Sequence, residues 1–477
     1  MSEIIGRKKE IAELTARYNS GKAEFIAIYG RRRVGKTFLI KEFFHNQFAF
    51  QHTGLSQVDK VSGKKEEQLT KFLYSLQQYG WENDDVPSSW LEAFFFLEQL
   101  LANKDDGSRQ VVFIDELPWM DTPGSGFITA LESFWNGWGY FRDNLCLVVC
   151  GSATSWMSNV LINNKGGLYG RLTHSIKLEQ FTLNECEQYF TNAGIRMSRY
   201  DIMEGYMAIG GIPYYMSYFE KGLSLAQNID NLFFKKNAKL KNEFERLFRS
   251  VFTSPETKMQ IVRALGRKHK GLTREQIAQA IRSKSGGTLS EALKALEDSD
   301  FIVKYVPYGC SKREGHYKLI DHFCWFWLHF MEQGDCPENF WQLNENQSSI
   351  RAWCGIAFEE VCFHHIAQIK RALGIEGVST QISAYAVAGD DESDGLQIDM
   401  LIDRADRVVN VCEMKFVNGD FTVDKSYHRK LTNRLLAFRQ NEKKSVHSTL
   451  VTTYGLNQNE YSGIFQNCIT LDDIFLP

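Results

Sequence analysis

Tyr29-Gly30-Arg31-Arg32-Arg33-Val34-Gly35-Lys36-Thr37 is the stretch on which the fold turns. It satisfies the pattern G-x-x-x-x-G-K-[ST] of a phosphate-binding loop. Residues 24–29 ahead of it (Glu-Phe-Ile-Ala-Ile-Tyr) read as a short buried strand, and residues 38–44 behind it (Phe-Leu-Ile-Lys-Glu-Phe-Phe) as a helix. Such a motif requires this strand–loop–helix context. The glycines let the backbone turn tightly, and its N–H groups converge on phosphate oxygens beside a helix N-terminus. Lys36 then reaches the β- and γ-phosphates, and the Thr37 hydroxyl ligates Mg²⁺. Nucleotide contacts are expected along Gly30, Arg31, Arg32, Arg33, Val34, Gly35, Lys36 and Thr37, with Phe38 beside them. The three arginines add phosphate or partner contacts, or are simply solvated.

A second motif supports the first. Val111-Val-Phe-Ile114 reads as a buried parallel strand that ends in Asp115-Glu116. Ligands of open α/β sheets bind at that edge. Asp115 suits a Mg²⁺ held there, and Glu116 suits the base that orients or deprotonates the attacking water. Phosphoryl transfer needs mainly positioning and charge compensation, which these groups supply together with Lys36. Leu145 to Cys150 is another buried strand, followed by Gly151-Ser152-Ala153-Thr154. Ser152 or Thr154 is a γ-phosphate sensor, or the pair marks a tight turn. Arg171, in a Gly-rich loop, reaches a phosphate in cis or from a neighbouring subunit, or lies on the surface.

Length and composition set the frame. With 477 residues the chain is too long for one core. Its 43% apolar and 13% aromatic content marks a folded globular protein. The net charge of −3 gives no whole-protein attraction to nucleic acid, so any such site is a local patch. Ten scattered cysteines with no C-x-x-C pair argue against a zinc knuckle or a disulfide framework and point to a reducing cytoplasm. The N-terminus does not read as a signal peptide. No apolar run approaches the roughly 18 residues of a membrane span, so no membrane partner is expected.

Taken together, Gly6-Arg7, the phosphate loop, Ile114-Asp115-Glu116, Gly151-Ser152, Gly170-Arg171 and Gly210-Gly211-Ile212-Pro213 resemble the archaeal-type ATPases, AAA-like proteins related to the STAND NTPases. The resemblance implies ATP and Mg²⁺ as ligands. It also implies a multidomain α/β chain: a P-loop ATPase core over 1–180, a helical lid over 181–250 and a winged helix over 251–320. Oligomerisation is left open.

The winged-helix reading has its own signals. Helices are expected over 257–265, 272–281 and 287–296, followed by a hairpin of 301–306 with 316–320. Arg263, Arg267, Lys268, Lys270, Arg274, Arg282 and Lys284 stand against the single acid Glu275, a patch suited to DNA phosphates. Winged helices also serve as protein-interaction modules, and that alternative stays open. Residues 321–344, rich in Phe and Trp, read as a linker helix buried against its neighbours, in preference to a base-stacking platform.

The C-terminal part, 345–477, carries a third constellation. Leu396 to Ile402 and Val408 to Phe416 are strands joined by a turn at Arg404–Arg407. Pairing Arg404 with Val408 across a three-residue loop sets Asp399 opposite Glu413, and alternation puts Lys415 on the face of Glu413. Asp399 and Glu413 could hold a second Mg²⁺ or a Mn²⁺, with Lys415 stabilising charge. This resembles the PD-(D/E)XK nuclease fold, a restriction-endonuclease-like α/β domain, and the resemblance adds Glu359 on the preceding helix. The Pro before the first Asp of that motif is absent, since Ile398 stands there. Lys425, Arg429, Lys430, Arg434 and Arg439 on the next helix suit a DNA backbone. A metal-dependent nuclease, a binding module that never cuts and a surface ion cluster are the readings of this site.

Overall fold

The computed structural model describes residues 4–56, 65–163, 166–252, 254–283, 286–310, 315–334, 336–387, 396–440 and 442–477. The chain divides into two compact units. The first is Met1–Gln180 with Glu245–Glu256 and Lys294–Asp300; the second is Phe181–Phe244, Thr257–Leu293 and Phe301–Pro477.

Five strands build the first unit: β1 (Glu24–Tyr29), β2 (Phe50–Thr53), β3 (Gln110–Asp115), β4 (Leu145–Gly151) and β5 (His174–Lys177). Their order is β2-β3-β4-β1-β5, and every pairing is parallel. A parallel sheet is covered on both faces by its helical crossovers, so its central strands are apolar throughout. Phe25–Ile28, Val111–Ile114 and Leu145–Cys150 are accordingly all buried. The helix Trp90–Asn103 turns Trp90, Phe94, Leu97 and Leu101 inward at three- and four-residue spacing. From the helix Phe127–Gly137, the Trp135 ring packs 5.0 Å from that of Phe25.

One element of this unit departs from the sequence reading. Phe50–Thr53, which no motif marks as a strand, forms β2 and pairs with Val112–Asp115. Four residues at a sheet edge carry too little periodicity to declare a strand, and the tertiary pairing decides.

The second unit opens with the helices Leu183–Asn192 and Arg199–Ile209. Gly210 stops the latter at φ 63°, in the left-handed region that favours glycine. A Cβ on Gly211 would lie 2.0 Å from the Phe181 carbonyl oxygen, and Phe181 N donates to Gly211 O at 2.7 Å. This glycine therefore lets two backbone segments touch. Pro213 begins the next helix, where its missing N–H costs nothing.

The helix Pro255–Gly266 follows, then β6 (Leu272–Thr273), the helices Arg274–Ala280 and Gly287–Asp298, β7 (Ile302–Tyr305) and β8 (His316–Leu319). The three strands form an antiparallel sheet in the order β6-β8-β7. Leu272 and Thr273, expected inside a helix, pair instead with Tyr317 and His316. Thr273 caps the helix that follows through a reciprocal pair with Gln276. The aromatic stretch after Asp321 is core: Phe323, Phe326 and Phe330 are buried, and the Phe326 ring lies 5.2 Å from Trp341 and 5.5 Å from Trp353.

A second five-stranded sheet closes the chain: β9 (Thr380–Val387), β10 (Leu396–Arg404), β11 (Val408–Lys415), β12 (Ser445–Thr452) and β13 (Asn467–Ile469), in that spatial order. β9, β10 and β11 are antiparallel, whereas β11, β12 and β13 are parallel. The helix that carries Lys425, Arg429, Lys430, Arg434 and Arg439 runs from Lys425 to Gln440. All ten cysteines are free. Among the described residues no helix is long and apolar enough to cross a membrane.

Candidate functional site

Because β4 lies between β1 and β3, the C-terminal ends of three adjacent strands deliver the phosphate loop, Ser152 and Asp115-Glu116 to one edge of the first sheet. Gly30 begins the loop at φ 142°, and a Cβ there would sit 2.2 Å from the Leu178 carbonyl oxygen. Leu178 N in turn donates to Tyr29 O at 2.7 Å. Arg7, itself left-handed at φ 54° and buried, donates from Nη2 to Val34 O at 3.1 Å and to Glu179 O at 2.8 Å. Residues 178–179 are thus laced to both ends of the loop. From sequence Gly6-Arg7 is only one motif of the resemblance to archaeal-type ATPases, and the pinning role went unseen. It depends on partners 27 and 172 residues away.

Lys36 opens the helix Lys36–Phe43 and is 5% exposed. Its Nζ donates to Gly30 O at 2.9 Å and Arg31 O at 3.1 Å. Burial lowers the ammonium pKa, against the pull of Glu116 and Asp115. Thr37 Oγ1 donates to Asp115 Oδ2 at 2.7 Å. A hydroxyl and a carboxylate meeting beside the lysine form the donor set that Mg²⁺ takes, so these residues fit the ion. Burial, then Glu116, raises the Asp115 carboxyl.

Glu116 is left-handed at φ 49°. Ser152 holds both of its oxygens: Oγ donates to Oε1 at 2.7 Å, and the backbone N donates to Oε2 at 3.1 Å. Of the two sensor candidates, Ser152 therefore meets the Glu116 carboxylate. Thr154 is buried at the start of a short helix, and its Oγ1 has no hydrogen-bond partner among the described residues. The three loop arginines separate. Arg31 is buried, Arg32 stacks 5.7 Å from the Trp119 ring, and Arg33 takes φ 74°. Arg31 is therefore not simply solvated. Arg171 is exposed, its guanidinium 5.8 Å from the Tyr140 ring. Phe38 is also exposed.

The C-terminal constellation lies within the second unit. β10 and β11 pair Met400 with Cys412 and Asp403 with Val409, the register that aligns Asp399 with Glu413. Arg407 closes the three-residue turn at φ 69°. Asp399 Oδ2 accepts from Met414 N at 3.0 Å. Glu413, however, is fully engaged. Lys415 Nζ lies 2.7 Å from Oε1, Arg434 Nη1 donates to Oε2 at 2.6 Å, and the Tyr427 hydroxyl donates to Oε1 as well. Burial alone would raise the Glu413 carboxyl; Lys415 and Arg434 outweigh it and hold it below the usual range. Among the described residues no group of three His, Cys, Asp or Glu side chains is placed to hold a metal ion. A divalent ion at Asp399 and Glu413 would have to displace Lys415, Arg434 or Tyr427 from the Glu413 carboxylate.

Other cations read as DNA contacts are similarly committed. Arg434 is spent on Glu413. Arg263 pairs with Glu332 at 2.5 Å, and Arg274 donates to Gly286 O and Ser290 Oγ. Lys284 lies outside the described residues. Arg267, Lys268, Lys270, Arg282, Lys425, Arg429 and Lys430 are exposed.

Burial, then Asp399, raises the Glu359 carboxyl to about 7, and burial, then Glu413, raises Asp399 to about 6. An acid whose pKa rises on folding binds its proton more tightly when folded. Stability is then full below the unfolded value near 4.5 and falls as pH rises toward 7. Glu359→Gln removes the ionisation. Calorimetry should find the variant more stable than wild type by roughly 1–3 kcal/mol at about pH 8 and no more stable at about pH 4.5.

Residues 4–219 match a family described as an ATPase domain predominantly from Archaea. An uncharacterised protein of Methanocaldococcus jannaschii is 22% identical over 378 residues, 77% of this chain and 78% of that protein. An uncharacterised ATP-binding protein of the same organism is 51% identical over 44 residues, 9% of this chain and 75% of that protein. A Walker-type ATPase of Pyrococcus abyssi aligns with a TM-score of 0.47 at 17% identity, covering 69% of this chain and 96% of that one.

Proposed function

We propose that the archaeal-type ATPase domain carried on residues 4–219 hydrolyses ATP to drive DNA engagement by the remainder of the chain. The Thr37–Asp115 contact beside the buried Lys36 carries the hydrolytic half of this reading. Lys36 exchanges the Gly30 and Arg31 carbonyls for the β- and γ-phosphates. Thr37 and Asp115 hold Mg²⁺, which supplies charge compensation on the phosphates when bound. Glu116 orients the attacking water once its oxygens leave Ser152, so the Ser152 contact holds the base idle until nucleotide arrives.

DNA engagement is supported by the order helix, β6, helix, helix, β7, β8, which matches a winged helix, and by the exposed Arg267, Lys268, Lys270 and Arg282. Contacts of this kind position a duplex without reading its sequence. The nuclease-like domain acts here as a binding module. The neutralised Glu413 favours that reading over cleavage.

A metal-dependent nuclease is the second reading, favoured by the convergence of Asp399, Glu413 and Lys415 in the expected register. Supercoiled plasmid incubated with the full chain and Mg²⁺ or Mn²⁺ separates the two. No nicking is expected, while binding to the plasmid weakens steeply with salt. Nicking that disappears in Asp399→Ala would overturn the binding-module reading.

A further inference from the structure

Arg32, the third residue of the phosphate loop, carries a cation that Lys36, Thr37, Asp115 and Glu116 leave without a part in the chemistry. Its guanidinium lies 5.7 Å from the centroid of the Trp119 ring. The side chain is half-buried, and its Nη1 is buried with no hydrogen-bond partner among the described residues. A buried donor that lacks an acceptor is costly. A guanidinium can rest its face on an aromatic ring and still donate from its edge. Arg32 is therefore held in the loop with one donor in want of an oxygen.

Trp119 is itself fixed. Its N donates to Glu116 O at 3.0 Å, so ring and acid belong to one tight turn at the end of β3. Its O accepts from Gln68 Nε2 at 2.9 Å. Gln68, fully buried on the helix Lys65–Gln78, also closes on Leu55: Oε1 accepts from Leu55 N and Nε2 donates to Leu55 O, each at 2.9 Å. The stack thus holds the Arg32 guanidinium on the Glu116 side of the loop, where the attacking water and the γ-phosphate must meet.

Neither of two other arginines competes for that place. Arg31 is buried, and its Nη1 donates to Arg32 O at 3.3 Å. Arg171 stands at the wrong edge of its own sheet. β5 begins with His174 opposite Ile26, and Thr173 N donates to Phe25 O, so Arg171 precedes the strand at the N-terminal edge. The phosphate loop leaves the C-terminal edge, after Tyr29.

We infer that Arg32 is a catalytic residue, donating from Nη1 to the γ-phosphate of the ATP in its own loop, and that Trp119 positions it. The inference rests on the hydrolysis reading and adds the group that meets the charge of the transition state. There the water oxygen bonds to the γ-phosphorus as the bridging P–O bond breaks. The electron pair of that bond leaves with ADP, and the water's proton passes to Glu116. Negative charge spreads over the γ-oxygens, and a guanidinium fixed beside them stabilises it without forming or breaking a covalent bond.

Ligands that differ only at the γ-position test this. Arg32→Ala should lower steady-state turnover at least about a hundredfold. It should bind Mg·ADP within about twofold of wild type yet lose at least about tenfold in affinity for Mg·ADP with aluminium fluoride, a mimic of the transferring phosphoryl group. Arg32→Lys, which keeps the charge and loses the planar fork, should fall between. Trp119→Ala should lower kcat and leave KM unchanged. An unchanged thermal melt shows that each variant is folded; if Arg32→Ala melts early, Arg32→Gln replaces it in the same measurements. Equal losses for Mg·ADP and for the aluminium fluoride complex would make Arg32 a binding or packing residue and overturn its catalytic role. Activity regained on mixing Arg32→Ala with Glu116→Gln would mean that Arg32 serves a neighbouring copy, and it overturns the assignment too. Wild-type turnover in Arg32→Ala overturns the inference and leaves hydrolysis standing. Wild-type protein whose turnover is no greater than that of Lys36→Ala overturns both.

Discussion

Lys36→Ala should reduce steady-state ATP hydrolysis by about 10²–10³-fold, the usual cost of removing one charge-stabilising donor from a reaction centre. Its effect on folding should be small. The wild-type ammonium is 5% exposed and held by two carbonyls, so burial already costs it free energy. Alanine removes that charge, and the carbonyls of Gly30 and Arg31 that lose a donor lie beside the opening the side chain leaves. A coupled phosphate-release assay and a thermal melt therefore diverge: turnover collapses and the melting temperature stays within a few degrees. A variant that lost turnover only because the unit had unfolded would show both falling together. Glu116→Gln, by contrast, should bind ATP with wild-type affinity and fail to turn it over, because it touches only the water-orienting step.

Gly30→Ala should be the most damaging single methyl in the first unit. The φ of 142° is one that L side chains avoid, and the added Cβ would meet the Leu178 carbonyl oxygen at 2.2 Å. That oxygen is backbone, and Leu178 N is bonded to Tyr29 O, so it cannot swing aside. Relief requires moving the loop or the 178–179 segment, at a cost of roughly 3 kcal/mol or more. Gly35→Ala is the natural control. Its φ of 96° is also strained, but nothing lies within 4 Å of the added carbon. Denaturant melts should rank Gly30→Ala well below Gly35→Ala. Fluorescent ATP-analogue titration should show that Gly30→Ala no longer binds nucleotide.

The parts of the chain that sequence made legible are those where chemistry and local pattern coincide. The phosphate loop sits between a six-residue apolar strand and a helix, and Asp115-Glu116 ends another apolar run. The β10–β11 register follows from a three-residue turn and simple alternation. What stayed hidden was set by partners distant along the chain. Ser152 could be read as a turn or a sensor, and its contact with the Glu116 carboxylate, 36 residues away, has no local signal. Arg434 read as part of a basic surface, and nothing in the sequence singles out Tyr427. They lie seven residues apart, two turns along one helix, and together close over Glu413. The E-x-K pattern describes two residues of β11 and says nothing of the helix that covers them.

The lacing of residues 178–179 to the phosphate loop has a mechanical consequence. Gln180 ends the leading run of the first unit, and Phe181 opens the second. The same few residues that grip Gly30 and, through Arg7, Val34 therefore stand at one of the five places where the chain passes between the units, so a pull along the chain at this crossing reaches the phosphate loop directly. A partner whose binding to the second unit loosened ATP tenfold would itself be loosened tenfold by saturating ATP, a coupling of about 1.4 kcal/mol.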